Sequence, residues 1–111
     1  MIEKPDHDGI LINLDICDAI LTKHLLQYRD AVTGKIQIVE PHAYGVTHEG
    51  NHAVWVWPLG EAGKASTVPE ALVLIRLDGM RDVQMRNETF EVRRPGYRRA
   101  NKHMQLIHSQ L

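Results

Sequence analysis

Ile36-Gln-Ile-Val-Glu-Pro-His-Ala-Tyr-Gly-Val-Thr-His-Glu-Gly-Asn-His-Ala-Val-Trp-Val-Trp-Pro-Leu59 is the stretch on which the fold turns. Lys35-Ile-Gln-Ile-Val39 alternates polar and apolar residues, the period of a strand with one buried face. Pro41 cannot donate to a ladder and so marks an edge, a bulge or a break. The chain is expected to bend at Glu40-Pro41-His42 and to expose Glu40 and His42. Tyr44-Gly-Val-Thr47 continues the strand and Glu49-Gly50-Asn51 turns it. His52 to Trp57 then returns with Ala53, Trp55 and Trp57 on one face and Val54 and Val56 on the other.

On the N-terminal side, Ala31-Val-Thr-Gly34 reads as a tight turn whose glycine can take positive φ, pairing this strand with one over His24–Asp30. Further back, Asn13 can cap a helix, Asp15 favours its first turn, and Leu14, Cys17, Ile20 and Leu21 recur at helical spacing as its apolar face. Residues 1–13, with Pro5 and Gly9, read as an arm.

On the C-terminal side, Pro58 to Pro69 has the composition of a mobile loop. Glu70-Ala-Leu-Val-Leu-Ile-Arg76, the most apolar run, reads as a central strand, followed by an Asp78-Gly79 turn and a strand over Met80–Arg86. Asn87-Glu-Thr89 breaks that strand, and Phe90 goes to the core. Arg93-Arg-Pro-Gly-Tyr-Arg-Arg99 is a basic turn with an aromatic in its middle. Met104, Ile107 and Leu111, at i, i+3 and i+7, predict a short C-terminal helix ending over residues 105–111. The sum is a mainly β protein: a small barrel or strongly bent sheet of about five strands with a helix at each end.

A chain of 111 residues makes one domain, and its 43% hydrophobic and 24% charged composition is that of a globular protein. So short a chain leaves much surface wet, which favours a homodimer. No apolar run approaches the roughly 20 residues of a membrane span, and Met1 to Asp8 is no signal peptide, so the cytoplasm is expected. The single Cys17 excludes an intrachain disulfide and reads as a small apolar residue rather than a nucleophile. The net charge of −1 is uneven: residues 1–74 hold 5 Lys/Arg against 10 Asp/Glu, and residues 75–111 hold 8 against 4. Arg93, Arg94, Arg98, Arg99 and Lys102 fall together with no acid among them, a place for an anion.

Ala19-Ile20, Leu26-Gln-Tyr28, the Gly34 turn, Val39-Glu-Pro-His42, Tyr44-Gly45, the tryptophan strand, Ile75-Arg-Leu-Asp78, Val83 and Thr89-Phe90 follow one another in the order and rough spacing of WYL-type domains. The chain most resembles short standalone bacterial versions, with Pro95-Gly-Tyr97 and the tail filling their C-terminal part. The resemblance covers residues 14–104. It implies an Sm-like, SH3-type β-barrel acting as a ligand-sensing or nucleic-acid-associated module in transcription regulation, often beside a DNA-binding domain.

No arrangement of nucleophile, base and orienting acid is apparent, so no catalysis and no cofactor are expected. His42, His48 and His52 could converge across a hairpin, but their spacing is not that of a metal site. Trp55 and Trp57 read as core or interface before they read as a stacking platform for bases. Arg76 interrupts an apolar strand and needs a partner, with Asp78, Glu40 and a bound anion as the alternatives. The function expected is a non-enzymatic regulatory module binding a small anionic ligand or short single-stranded nucleic acid. Its groove would be formed by His42, Tyr44, Arg76, Arg93, Arg94 and Arg98. Arg76 would make a bidentate charge contact, His42 a hydrogen bond and Tyr44 an apolar wall. The alternative is a protein-interaction (dimerisation or structural) subunit without a small ligand, its tryptophan strand and C-terminal helix serving as sticky surfaces and its basic turn meeting an acidic partner, with a DNA-binding protein as another candidate partner.

Overall fold

Asn13 starts helix α1 (Leu14–Thr22) by accepting the Ile16 N–H on its side-chain oxygen at 3.1 Å, as expected of a cap. The helix ends at Lys23, which takes the left-handed conformation at φ 57 and returns its N–H to the last turn. The computed structural model describes residues 12–61, 71–91, 93–99 and 102–111. Most of the N-terminal arm and residues 62–69 of the proposed loop lie outside these. Of the expected face of α1, Ile20 is buried and Cys17 packs half-buried against the core, but Leu14 and Leu21 are 70% and 69% exposed, and Ile16 and Ala19 complete the buried side instead. The helix is apolar on two sides, and spacing alone did not separate them. Cys17 is half-buried, and burial, with the nearby Asp18 charge, pushes its thiol pKa up.

Strands β1 (His24–Asp30), β2 (Ile36–Thr47), β3 (His52–Glu61), β4 (Val73–Arg76), β5 (Met80–Thr89) and β6 (Met104–Gln110) form one antiparallel sheet. The fold is mainly β with one helix, as expected in outline. Gly34 takes φ 74 in the β1–β2 turn, and Asp30 holds that turn by accepting the Val32 and Thr33 N–H groups. The strand order is β4-β3-β2-β1-β5, with β6 added on β2.

β2 organises the sheet. Its first part, Ile36–Val39, pairs with β1, whereas Ala43–Thr47 pairs with β6 along the same edge. The exchange falls at Glu40-Pro41-His42, where the missing proline N–H would have broken a continuous ladder. On its other edge β2 pairs with β3 throughout. Pro41 faces Val56 and Ala43 faces Trp55, so His42 is an extra residue, a bulge.

The two ends of the sheet, β4 and β5, are consecutive in the chain and joined only by the 3-10 turn Leu77–Gly79. In a flat sheet they would lie about 19 Å apart, four strand spacings. Four residue steps span at most about 14 Å, so the sheet must curl. No ladder joins β4 to β5 among the described residues, and the sheet remains open.

Three expectations are corrected. The C-terminal helix is instead β6. Three apolar residues in so short a segment make a marginal helix, whereas β2 beyond Pro41 offers a row of backbone groups that a strand satisfies. The run ending at Arg76 is an end strand rather than a central one, and Val73 and Leu74 stay over a third exposed. Its Ile75 packs against the core, and the strand pairs with β3. Residues 87–89 do not break a strand, since β5 runs to Thr89. The core comprises Ile16, Ala19, Ile20, Leu26, Tyr28, Val39, Tyr44, Val54, Val56 and Met80 between α1 and the concave sheet. No helix among the described residues is long and apolar enough to cross a membrane.

Candidate functional site

The bulge at His42 and the basic turn meet. His42 is fully buried, contrary to the exposure expected at a proline bend, because the bulge turns its ring under the segment that follows β5. The ring stacks on Phe90 at a centroid distance of 5.6 Å and meets Tyr97 edge-on at 5.2 Å. Its nitrogens have fixed roles. Nε2 lies 3.0 Å from the Arg94 backbone N–H, which can only donate, and Nδ1 lies 3.0 Å from the Glu40 carbonyl, which can only accept. The imidazole is therefore neutral, with its proton on Nδ1.

Burial lowers the His42 pKa from 6.5. The Arg94 and Arg93 charges add to that effect, while the Glu40 carbonyl bond and carboxylate oppose it. An unfolded chain then takes up this proton before the folded one as pH falls. The contribution to stability is complete above about pH 6.5 and is lost as pH drops through the window below it. Comparing chemical denaturation of wild type and His42→Gln from about pH 7 to about pH 5 should show a steeper loss of stability in the wild type. Equal slopes would assign the pH dependence to other groups.

Glu40, also expected outside, is 4% exposed. Its carboxylate receives Arg94 Nε at 2.6 Å and Nη2 at 2.7 Å, a two-pronged ion pair. The same guanidinium lies 5.0 Å above the Trp57 ring. Arg94 is thus pinned to β2 by its backbone and to β2 and β3 by its side chain. The end of the chain closes over the same place: the Leu111 N–H donates to the His42 carbonyl at 2.9 Å, and the Tyr97 hydroxyl donates to the Leu111 carbonyl at 3.2 Å.

Beside this clasp opens a groove of about 640 Å³ lined by Lys23, Glu91, Arg93, Arg99 and Leu111. Lys23 is delivered by its left-handed cap position, and its carbonyl accepts the Phe90 N–H at 2.9 Å, tying the end of α1 to the start of the basic segment. Arg93 and Arg99 stand on either side of the Arg94–Tyr97 turn, where Gly96 takes φ 89. Lys23, Arg93 and Arg99 form no ion pair among the described residues. Among the described residues they face one carboxylate, Glu91, or two where Leu111 carries the terminal carboxylate, and this described lining is positive either way. Burial raises the Tyr97 phenol, and the Arg99 and Arg93 charges pull it back, placing both guanidiniums within electrostatic reach of this ring.

Of the residues expected to share a site, His42, Arg93 and Arg94 come together. Arg98 lies exposed on the same turn. Tyr44 does not wall a groove. It is fully buried in the core, where its hydroxyl accepts the Asn13 N–H at 2.9 Å. Arg76 sits on end strand β4 and takes Asp78 as its partner, at 2.6 Å, with both side chains over half exposed. Lys23, Glu91 and Arg99 were not among the expected site residues. Arg99 carried a signal as part of the basic run, but Lys23, some seventy residues earlier, and Glu91 carried none.

The remaining chemistry-bearing residues lie elsewhere. His48 Nε2 binds the Lys102 carbonyl at 2.8 Å, while His52 stacks on His108 at 5.7 Å, so the three hairpin histidines have separate settings. No three ligating side chains group to hold a metal ion among the described residues. Trp57 is nearly buried under Arg94, and Trp55 is half-buried, 6.0 Å from the His103 ring. Compared with protein-family models, with curated proteins and with solved structures, the chain matches none.

Proposed function

We propose that the protein is a non-enzymatic binding module, a small WYL-like barrel, that takes a small anionic ligand or a short single strand of nucleic acid in the groove between Lys23, Arg93 and Arg99. The observation that carries this reading is the convergence on one groove of three cations that form no ion pair among the described residues, two of them presented by a turn that Arg94, His42 and Glu40 hold in place. Unpaired guanidiniums on a pinned backbone need little rearrangement to receive an anion, and each charge-assisted contact adds about 1.5–3 kcal/mol. The curled sheet, with its end strands joined by a single turn, supports the barrel part of the reading.

The clasp also favours binding over catalysis. Both nitrogens of His42 are occupied by backbone groups, so the ring has no free position with which to take a proton from a substrate. Titration of the protein with inorganic pyrophosphate at low salt, followed by calorimetry, tests the reading. Micromolar binding is expected, weakened about tenfold or more by either Arg93→Ala or Arg99→Ala and further by added salt. Wild-type protein that takes up no heat, or variants that bind as well as wild type, would remove this assignment.

A further inference from the structure

We infer that the ligand of this groove is a small phosphorylated molecule bearing hydroxyl groups, and that Glu91 selects it. The inference rests on the anion-binding reading above and gives it a ligand class. The charge of the lining, the volume of the groove and the setting of the nearby rings decide among anions, and Glu91 decides further. Two guanidiniums and an ammonium match a phosphoryl group, which offers three oxygens in a fork geometry and up to two charges. Of the aromatic rings nearby, Phe90 lies buried against His42 and Trp57 beneath Arg94, so neither offers an open face to a stacked base, and Tyr97 is half-buried, edge-on to His42 with its hydroxyl on the Leu111 carbonyl. A strand of nucleic acid held only at its backbone would lose the stacking that single-strand binding uses. The volume of about 640 Å³ suits one small molecule.

Glu91 adds a further property of the lining. It is exposed, lines the groove with the three cations and forms no ion pair with any of them among the described residues. Toward a bare anion such a carboxylate is a liability, since it repels what the cations attract. Toward a ligand with hydroxyls beside its phosphate it is an asset, because an ionised carboxylate only accepts hydrogen bonds and a hydroxyl donates one. Glu91 should therefore act in opposite directions on the two kinds of ligand. A carboxylate that merely happens to lie near the groove acts in one direction on both.

The experiment is calorimetric titration of wild type and Glu91→Ala with ribose 5-phosphate, inorganic phosphate, citrate and a short oligothymidylate at low salt. In the wild type, ribose 5-phosphate is expected to bind about tenfold or more tightly than inorganic phosphate, and more tightly than citrate or the oligonucleotide. Glu91→Ala is expected to weaken ribose 5-phosphate by about tenfold while strengthening inorganic phosphate by a few-fold. Strengthening of both ligands would reduce Glu91 to a repelling charge and overturn the inference while leaving the anion site intact. Tighter binding of citrate would overturn the phosphoryl assignment, and tighter binding of the oligonucleotide would assign the groove to a strand. Failure of the wild type to bind any of the four would overturn the inference and the anion-binding reading together. An unchanged far-ultraviolet spectrum in the variant, whose residue 91 side chain is exposed, keeps folding out of the comparison.

Discussion

Gly45→Ala will destabilise the protein by about 3 kcal/mol or more. Gly45 pairs with Ile107 where β6 runs close against β2. A Cβ there would fall far inside contact distance of the Leu106 carbonyl oxygen and 3.0 Å from the Ile107 Cα. Both are backbone atoms in a paired strand, so no rotamer change relieves the clash, and β6 must move off β2 or lose part of its ladder. The consequence extends beyond the strand. β6 leads to Leu111, whose N–H holds the His42 carbonyl, so a displaced β6 should also loosen the clasp beside the groove. Urea denaturation followed by tryptophan fluorescence measures the loss. Gly79→Ala, whose Cβ would meet nothing within 4 Å, is the control. Equal midpoints for the two variants would show that the β2–β6 approach tolerates a side chain.

Arg94→Ala will destabilise the protein by about 2–3 kcal/mol and abolish anion binding, although Arg94 does not line the groove. The substitution leaves the Glu40 carboxylate, 4% exposed, without the guanidinium that makes its burial affordable. It also uncovers Trp57. The Arg94 side chain is itself 36% exposed, so water reaches part of the site and the loss falls below that of a fully buried pair. The backbone bond from residue 94 to His42 survives, but without its side-chain anchor the turn no longer holds Arg93 and Arg99 in one place. Glu40→Gln with Arg94→Ala separates the two effects. The double variant should regain much of the stability, because no buried charge remains, without regaining pyrophosphate binding. Recovery of binding in the double variant would mean that the groove forms without the clasp.

The sequence carried the local features well, because each depends on residues close together in the chain. Asn13 as a cap, Gly34 in its turn and the returning tryptophan strand are all readable from neighbours. The disturbance at Pro41 was readable too, but not its direction. A proline without an N–H says that a ladder is interrupted, and nothing local says that β1 leaves and β6 arrives at that point. For the same reason Glu40 and His42 looked exposed. Their burial depends on Arg94, Phe90 and Tyr97, about fifty residues onward. β6 was misread because its helical spacing is a local property, whereas the open edge that recruits it belongs to another part of the fold. Half of the expected site survives as a group, centred on the basic turn. The groove itself was not legible, since it draws one cation from the end of a helix whose cap conformation points it there.

Against β1, the strand β5 departs from regular pairing twice: Asp82, at φ 53, falls between the Arg81 and Gln84 pairs, and four residue steps of β5 from Met85 to Thr89 match two of β1. At the other end of the sheet, β4 is four residues long. An incoming extended chain needs several evenly spaced backbone donors and acceptors, and neither end supplies them. Growth of the sheet at β4 and β5 is thereby disfavoured. Neither end is a template for amyloid-like stacking or for capture of a neighbour's unfolded segment, despite the apolar Val73 and Leu74 at one of them. The exposed apolar residues Leu14 and Leu21 on the outer side of α1 are, by contrast, a side-chain surface that presents no strand edge.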